Sequence, residues 1–329
     1  MKDTLQYLFE HNTLTQVEAK DLLTEISAEK FDPFQVAAFL TVFRVRGITV
    51  QELSGFREAL LELASPVDLE AYNPVDLCGT GGDGKDTFNV STLSSFVTAG
   101  AGVRVAKHGN YAVSSSCGSS NVMEYLGYQF TGDEGELQRQ IEEVGICFLH
   151  APLFHPAMKA VAPIRRSMGV HTFFNMLGPM VNPARPKRQL VGVYSLELLR
   201  LYHYLYQQTD IDYRIVHSLD GYDEISLTSG SKVLSPQSDM VLYPDDFGAE
   251  TLQPEALHGG QSVKEAAAIF MNILEGSGTD AQNAVVIANS SLAISSANPQ
   301  KSLQECRVMA QESLTSGNAL NVFKRLIKS

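Results

Sequence analysis

From Val75 onward the chain alternates short apolar runs with helix-length segments, and this alternation constrains its fold more than any other feature. PVDLC, VRVAK, ICFLHA, RQLVGVY and YRIVHSL have the length of strands. Between them lie TLSSFVTAGAG, SNVMEYLG, ELQRQIEEVG and LELLRLYHYLYQQ, which read as helices. Strands separated in this way build βαβ units, because a parallel neighbour is reached only through a crossover. The expectation is a mainly parallel sheet. Residues 226–258 are richer in turn formers and predict short strands or hairpins, and residues 262–329 return to helix.

Residues 1–66 predict helices only. Thr15-x-x-Glu18 and Thr49-x-x-Glu52 are capping boxes, and Asp32 before Pro33 is an N-cap with proline at the first helical position. Gly47 closes that third helix. Leu5, Leu8, Phe9, Val36, Phe39, Leu40 and Phe43 form apolar stripes that serve a core or a partner face, with the core favoured. The expected division is a small helical domain, 1–66, and an α/β domain, 73–329.

The chain carries 25 Lys plus Arg against 37 Asp plus Glu, a net charge of −12. That balance argues against a general nucleic-acid binder, which shows a basic footprint. Cys78, Cys117, Cys147 and Cys306 are scattered and form no C-x-x-C pair, so they read as buried thiols in a reducing cytoplasm. The first residues, MKDTLQYLFEHN, lack the apolar stretch of a signal peptide, and no run of 18 apolar residues occurs, so neither secretion nor a membrane span is expected.

The strongest local signal is the loop Gly79-Thr-Gly81-Gly82-Asp83-Gly84-Lys85, between a strand and a helix that begins near Ser91-Thr92. Closely spaced glycines let backbone N–H groups converge on an anion, and a helix N-terminus favours phosphate. Two better-known motifs nearly fit. Gly79-x-x-x-x-Gly84-Lys85 matches a P-loop until Asp86, which has no hydroxyl for Mg²⁺. Gly79-x-Gly81-x-x-Gly84 matches a dinucleotide fingerprint, but the acid expected about 20 residues on is missing. From Thr87 to Met123 there is no Asp or Glu at all, while Arg104, Lys107 and His108 stand there. In an acidic chain, that stretch points to a polyanionic ligand.

Three further clusters follow. Lys107-His108-Gly109-Asn110 ends the next strand and leads into Ser114-Ser115-Ser116-Cys117-Gly118-Ser119. Ligands of open α/β sheets lie beyond the carboxyl ends of strands, so both segments reach one crevice. Asp220-Gly-Tyr-Asp223-Glu224 follows YRIVHSL; adjacent carboxylates repel, and a hard cation such as Mg²⁺ relieves that, a solvated acidic turn being the alternative. His155-Pro156, Ala162-Pro-Ile-Arg165-Arg166 and Phe174-Asn175-x-Leu177-Gly178-Pro179-x-x-Asn182-Pro183 form the last; paired Arg either clamps a carboxylate or faces solvent.

Together, GTGGDG with TFN-x-ST, KHGN with the serines after it, HPAM with APIRR, FN-x-LGP-x-x-NP and DG-x-DE resemble the anthranilate phosphoribosyltransferases of tryptophan biosynthesis, over essentially the whole chain. The resemblance implies a nucleoside phosphorylase/phosphoribosyltransferase-like fold with the substrate cleft between a helical and an α/β domain. It implies that residues near 164–186 return to the helical domain, and that the chain is a homodimer through it. It leaves open an anthranilate synthase subunit as a further partner. The implied reaction transfers phosphoribose from phosphoribosyl pyrophosphate to the amine of anthranilate.

The resemblance also implies roles. Gly79, Gly82, Asp83, Thr87, Asn89, Val90, Ser91, Thr92, Lys107, His108, Gly109, Asn110, Ser114, Ser115 and Ser119 would bind phosphoribosyl pyrophosphate. Ser91, Asp223 and Glu224 would hold two Mg²⁺ ions. Gly79, Asn110, His155, Arg165 and Gly178 would surround anthranilate, with His108 nearby. The chemistry of the transfer, rather than the resemblance, makes His108 the candidate acceptor of the amine proton. The chain departs from the family pattern at Tyr111, at Gly118-Ser119-Ser120-Asn121 and at His171; Tyr111 and His171 leave its cleft slightly less basic. Pyrimidine nucleoside phosphorylases share the build but lack the GTGGDG form, and a nucleic-acid-binding relative would be expected to lose Asp223 and Glu224.

Overall fold

The computed structural model describes residues 1–111 and 117–329, which divide into two compact units. The first unit comprises Met1–Val67 and Ala151–Arg185, and the second Asp68–His150 and Pro186–Ser329. The returning segment therefore opens at Ala151, earlier than the expected 164, because the helix Ala157–Met168 packs on the helices Gln16–Ser27 and Pro33–Arg46.

In the first unit the helix starts follow the local chemistry. Thr15 and Thr49 both make full capping boxes, with Glu18 and Glu52, and Asp32 accepts from the Phe34 N–H. Gly55 lets the helices Gln16–Ser27 and Val50–Leu63 cross closely, since a Cβ there would lie 2.2 Å from the Gln16 carbonyl. The core is aromatic: Phe39, Phe43 and Phe56 meet edge to face, and Phe173 from the returning segment stacks on Phe56 at 4.3 Å. Leu8, Val36, Phe39, Leu40 and Phe43 are buried as the stripes predict, whereas Leu5 is only partly covered and Phe9 is exposed.

The second unit is a seven-stranded sheet: β1 (Val75–Gly79), β2 (Val105–Gly109), β3 (Ile146–His150), β4 (Arg188–Gly192), β5 (Asp212–Ser218), β6 (Ser231–Leu234) and β7 (Asp239–Leu242). The order is β3-β2-β1-β4-β5-β6-β7. The first five strands run parallel, and β6 and β7 add an antiparallel edge. The helix Val90–Gly100 is buried nearly all round and packs against β1 and against the helix Asp280–Ala297. With strands on either side of β1 reached by crossovers in opposite directions, the switch in strand order falls at β1 and β4, where such sheets bind ligands. The fold class is thus α/β with a mainly parallel sheet, preceded by a helical bundle. No helix of the described residues is long and apolar enough to cross a membrane.

Candidate active site

The loop after β1 takes left-handed backbone at Gly81, Gly82 and Gly84, with φ of +62°, +79° and +71°, and at Asp86 with φ +46°. That geometry turns its amides toward the ends of β4 and β5. The Gly81 N–H donates to Asp223 Oδ2 at 2.7 Å, and the Ser91 N–H, in the first turn of the helix Val90–Gly100, donates to Glu224 Oε1 at 3.1 Å. The predicted anion-binding amides therefore face the predicted metal carboxylates directly.

Two glycines make this approach possible. A Cβ on Gly79 would lie 2.4 Å from Asp223 Oδ2, and one on Gly192 would lie 1.4 Å from the Asp223 carbonyl oxygen. Asn289 anchors the segment from behind: its Oδ1 accepts from the Ile225 N–H at 3.1 Å and its Nδ2 donates to the Ile225 carbonyl at 2.9 Å. The Ser218 hydroxyl donates to the Glu224 carbonyl at 2.6 Å. Lys85 closes the loop by lying 4.7 Å over the Tyr222 ring.

Burial pushes the Asp223 carboxyl up to about 7, and neighbouring Asp83 adds to the effect. Glu224 is pushed well above the usual carboxylate range, by burial first and by Asp223 next. Like charges gathered in a dry site are held at such cost only where something compensates them. Among the described residues, Glu224 Oε2 is buried without a hydrogen-bond partner, as is the Thr80 hydroxyl. Among the described residues no three His, Cys, Asp or Glu side chains gather to hold a metal by themselves. Mg²⁺ fits this arrangement, because it binds through one or two carboxylates and takes its other ligands from phosphate and water.

Beside this lies the end of β2. Lys107 is fully buried, its ammonium donating to the Leu77 carbonyl at 2.7 Å, and burial lowers its pKa. It is thus a charge beneath the loop rather than a solvated arm. Ser119 donates its hydroxyl to the Asn110 carbonyl at 3.3 Å, and Asn110 Oδ1 accepts from the Tyr111 N–H at 2.8 Å. Asn89 Nδ2 donates to the Cys117 carbonyl at 3.1 Å, tying the start of the helix Val90–Gly100 to the segment after β2. A Cβ on Gly109 would lie 2.6 Å from Ser119 Oγ, so the β2 end and the following helix also need a glycine to meet. Ser114 and Ser115 lie outside the described residues.

Gly79, Gly82, Asp83, Thr87 and Asn89 to Thr92, the β2 end with Ser119, and Asp223 and Glu224 all belong to the second unit. His155, Arg165 and Gly178 belong to the first. There Arg165 lies 5.1 Å over the Phe174 ring and its Nη2 donates to Asn175 Oδ1 at 3.3 Å; Asn175 is itself fixed by the Thr172 N–H at 3.0 Å. Burial lowers the pKa of His155 to about 4, so its ring is neutral at pH 7.

Gly192, Asn289 and Asn175 were not singled out by the sequence reading for the parts they play. Asn289, the one amide in the run AVVIAN, carried the one readable signal: an amide buried in an apolar helix must find partners.

The profile described as "Glycosyl transferase family, helical bundle domain" matches residues 2–64, and "Glycosyl transferase family, a/b domain" matches residues 71–320. The anthranilate phosphoribosyltransferase of Christiangramia forsetii is 60% identical over 328 residues, spanning 100% of this chain and 99% of that protein. The crystal structure of the Thermus thermophilus anthranilate phosphoribosyltransferase superposes with a TM-score of 0.92 at 33% identity, covering 99% of this chain and 98% of that one. The Saccharomyces cerevisiae enzyme, solved in complex with PRPP and Mg, gives a TM-score of 0.91 at 28% identity over 98% of this chain and 96% of that one. The nucleoside phosphorylase and nucleic-acid-binding alternatives find no such support. Loop, carboxylates and full-length likeness agree: the chain belongs to the anthranilate phosphoribosyltransferase family.

Proposed function

We propose that this chain transfers phosphoribose from 5-phosphoribosyl 1-pyrophosphate to anthranilate, giving N-(5-phosphoribosyl)anthranilate and pyrophosphate. The observation that carries this reading is the pairing of Asp223 and Glu224 with the Gly81 and Ser91 amides at the sheet's switch point. The bond from the anomeric carbon to pyrophosphate breaks, a bond to the amine nitrogen forms, and one amine proton is released. Two Mg²⁺ ions, held by Asp223, Glu224 and Ser91, would neutralise the leaving pyrophosphate.

The chain's own residues do the rest by position and field. The loop Gly79 to Gly84 and the helix start Asn89 to Thr92 line the phosphate oxygens, through amides such as those of Gly82 and Thr92 that the carboxylates do not take, with Val90 contributing its backbone alone, since its side chain is buried in the core. Asp83 and Thr87 orient the loop, and Lys107 supplies positive charge from beneath it. His108, Gly109, Asn110, Ser114, Ser115 and Ser119 complete the phosphoribosyl contacts. Arg165, oriented by Asn175 and Phe174, holds the anthranilate carboxylate, with His155, Gly178, Gly79 and Asn110 also at that substrate. An aromatic amine is neutral and needs no strong base before attack, so no covalent protein intermediate is required. His108 takes up the proton as the new bond forms.

The helical unit carries the dimer in this reading, because Phe9, Phe34 and Val45 are exposed on it at 61%, 85% and 78%. Light scattering at micromolar concentration tests that. An anthranilate synthase subunit as a further partner, and a cytoplasmic location, rest on the resemblance and on four unpaired cysteines. The function itself is tested by following anthranilate fluorescence with phosphoribosyl pyrophosphate and Mg²⁺. Decay that requires all three components supports it; a signal unchanged by chelator, or uracil as the better acceptor, refutes it.

A further inference from the structure

The backbone ladder between β1 and β2 gives way to side-chain hydrogen bonds at the place where the two phosphate-binding segments leave the sheet. β1 pairs with β4 through five registered residues, Val75↔Arg188 to Gly79↔Gly192, and β2 pairs with β3 through five, Val105↔Ile146 to Gly109↔His150. Between β1 and β2, among the described residues, the register is the single pair Val75↔Val105. There the Val75 N–H donates to the Arg104 carbonyl at 2.9 Å. A parallel ladder continued from that bond would later bring the His108 N–H to the Leu77 carbonyl.

In this structure those two groups are met by side chains. Leu77 O accepts from Lys107 Nζ at 2.7 Å, and the His108 N–H donates to Asp76 Oδ1 at 3.1 Å. One carboxylate and one ammonium thus stand where a backbone rung would be. Asp76 is held from its other side as well. Its cross-strand neighbour Gln189 donates Nε2 to Asp76 Oδ2 at 3.1 Å, and Gln189 Oε1 accepts from the Tyr206 hydroxyl at 2.5 Å. Asp76, Lys107, Gln189 and Tyr206 are all buried.

Charged groups are an expensive way to satisfy two backbone atoms that could satisfy each other. The arrangement instead fixes a separation. Beyond it, β1 runs into the glycine loop and β2 into His108–Asn110. We propose that Asp76 is a positioning residue for phosphoribosyl pyrophosphate: with Lys107 it wedges β1 from β2 and so sets the span between the two segments that grip the substrate. This rests on the functional reading above and adds to it a residue that touches no substrate.

The test is calorimetric titration of phosphoribosyl pyrophosphate, in excess Mg²⁺, into wild type, Asp76→Ala and Asp76→Asn, with anthranilate KM measured alongside. Asp76→Ala should raise the Kd roughly tenfold or more, since misplacing contacts by an ångström is severe, while anthranilate KM should rise several-fold less, because Gly79 and Asn110 share that substrate with Arg165, His155 and Gly178, which do not lie on β1 or β2. Asp76→Asn keeps an oxygen for the His108 N–H and should stay within about threefold of wild type. A lowered melting temperature with an unchanged Kd, or an equal rise for both substrates, overturns the wedge. If Asp76→Ala does not fold, Gln189→Leu, which leaves the carboxylate but removes its donor, should raise the Kd about threefold. A folded Gln189→Leu protein with wild-type affinity then overturns it. Wild type that binds no phosphoribosyl pyrophosphate fails the functional reading itself, and the wedge with it.

Discussion

The carbonyl oxygen of Asp223 lies 1.4 Å from the point where a Cβ on Gly192 would be, so the end of β4 and the carboxylate segment occupy one packed position. Neither partner is a flexible side chain, and any residue larger than glycine must push the segment away. Gly192→Ala should destabilise the protein by about 1–3 kcal/mol, as overpacked interiors do. It should also raise the KM for phosphoribosyl pyrophosphate about tenfold or more, because Asp223 moves with the segment. Urea unfolding and initial-rate kinetics measure the two; an alanine variant unchanged in both contradicts the packing argument.

Asp223→Asn combined with Glu224→Gln should move stability and activity in opposite directions. Both carboxyls are held above their ordinary values, Asp223 to about 7 from 3.8. The sign follows: their ionisation opposes folding, an effect absent below about pH 4 that grows as pH rises toward 7. The neutral double variant should therefore melt at a higher temperature than wild type at pH 7.5 without Mg²⁺. Its turnover should fall by about two orders of magnitude or more. Scanning calorimetry that finds it less stable, or an assay that finds it active, refutes this.

Arg165 is fixed by Asn175 and Phe174. A charge-assisted contact to carboxylate is worth roughly 1.5–3 kcal/mol, so Arg165→Ala should raise anthranilate KM, or lower kcat/KM, by about 10- to 100-fold. Asn175→Ala should shift the same parameter in the same direction by about threefold, since it removes only the orienting partner. The KM for phosphoribosyl pyrophosphate should change much less in both. Equal impairment of the two substrates counts against the assignment.

Glu52 is fully buried and accepts from the Leu14 N–H at 2.9 Å, the Thr49 N–H at 2.9 Å and Arg46 Nη2 at 2.7 Å. Glu52→Ala strands a largely covered Arg46 and two amides at once. Breaking a buried pair from one side costs about 3–5 kcal/mol, and chemical denaturation should show a loss of that size. A loss below about 1 kcal/mol would mean that water replaces the carboxylate.

His155 carries a pH signature. Its folded pKa is lowered by burial to about 4 from an ordinary 6.5. Between those values the unfolded chain takes up a proton that the folded chain refuses, so stability falls as pH drops from 6.5 toward 4, by up to about 1.4 kcal/mol per unit. His155→Gln should flatten that slope. Parallel pH profiles of the melting temperature for wild type and variant would show the assignment to be wrong.

Much of this was legible because its causes are local. Thr15 with Glu18, Thr49 with Glu52, and Asp32 before Pro33 mark helix starts through contacts within four residues, and the structure places all three there. The alternation after Val75 announced the parallel sheet for the same reason. The glycine loop and the DG-x-DE carboxylates were readable as chemistry. What was not readable depends on distant packing: Gly192 matters only because Asp223 arrives beside it, and Asp76 only because Lys107 crosses from the next strand. Lys107 showed its charge but not its burial. Phe9 carried the apolar stripe yet lies exposed, because periodicity names a face without saying what covers it.

The aromatic core of the helical unit is assembled from two stretches of chain, Phe39, Phe43 and Phe56 from the first and Phe173 from the second. During synthesis on the ribosome, then, the amino-terminal helices emerge long before the ring that stacks between them. They must wait for more than a hundred residues, among them the first three strands, before their own interior closes. The order of birth and the order of completion are reversed: the unit whose first helices are made before the sheet is finished only when residue 185 has been made.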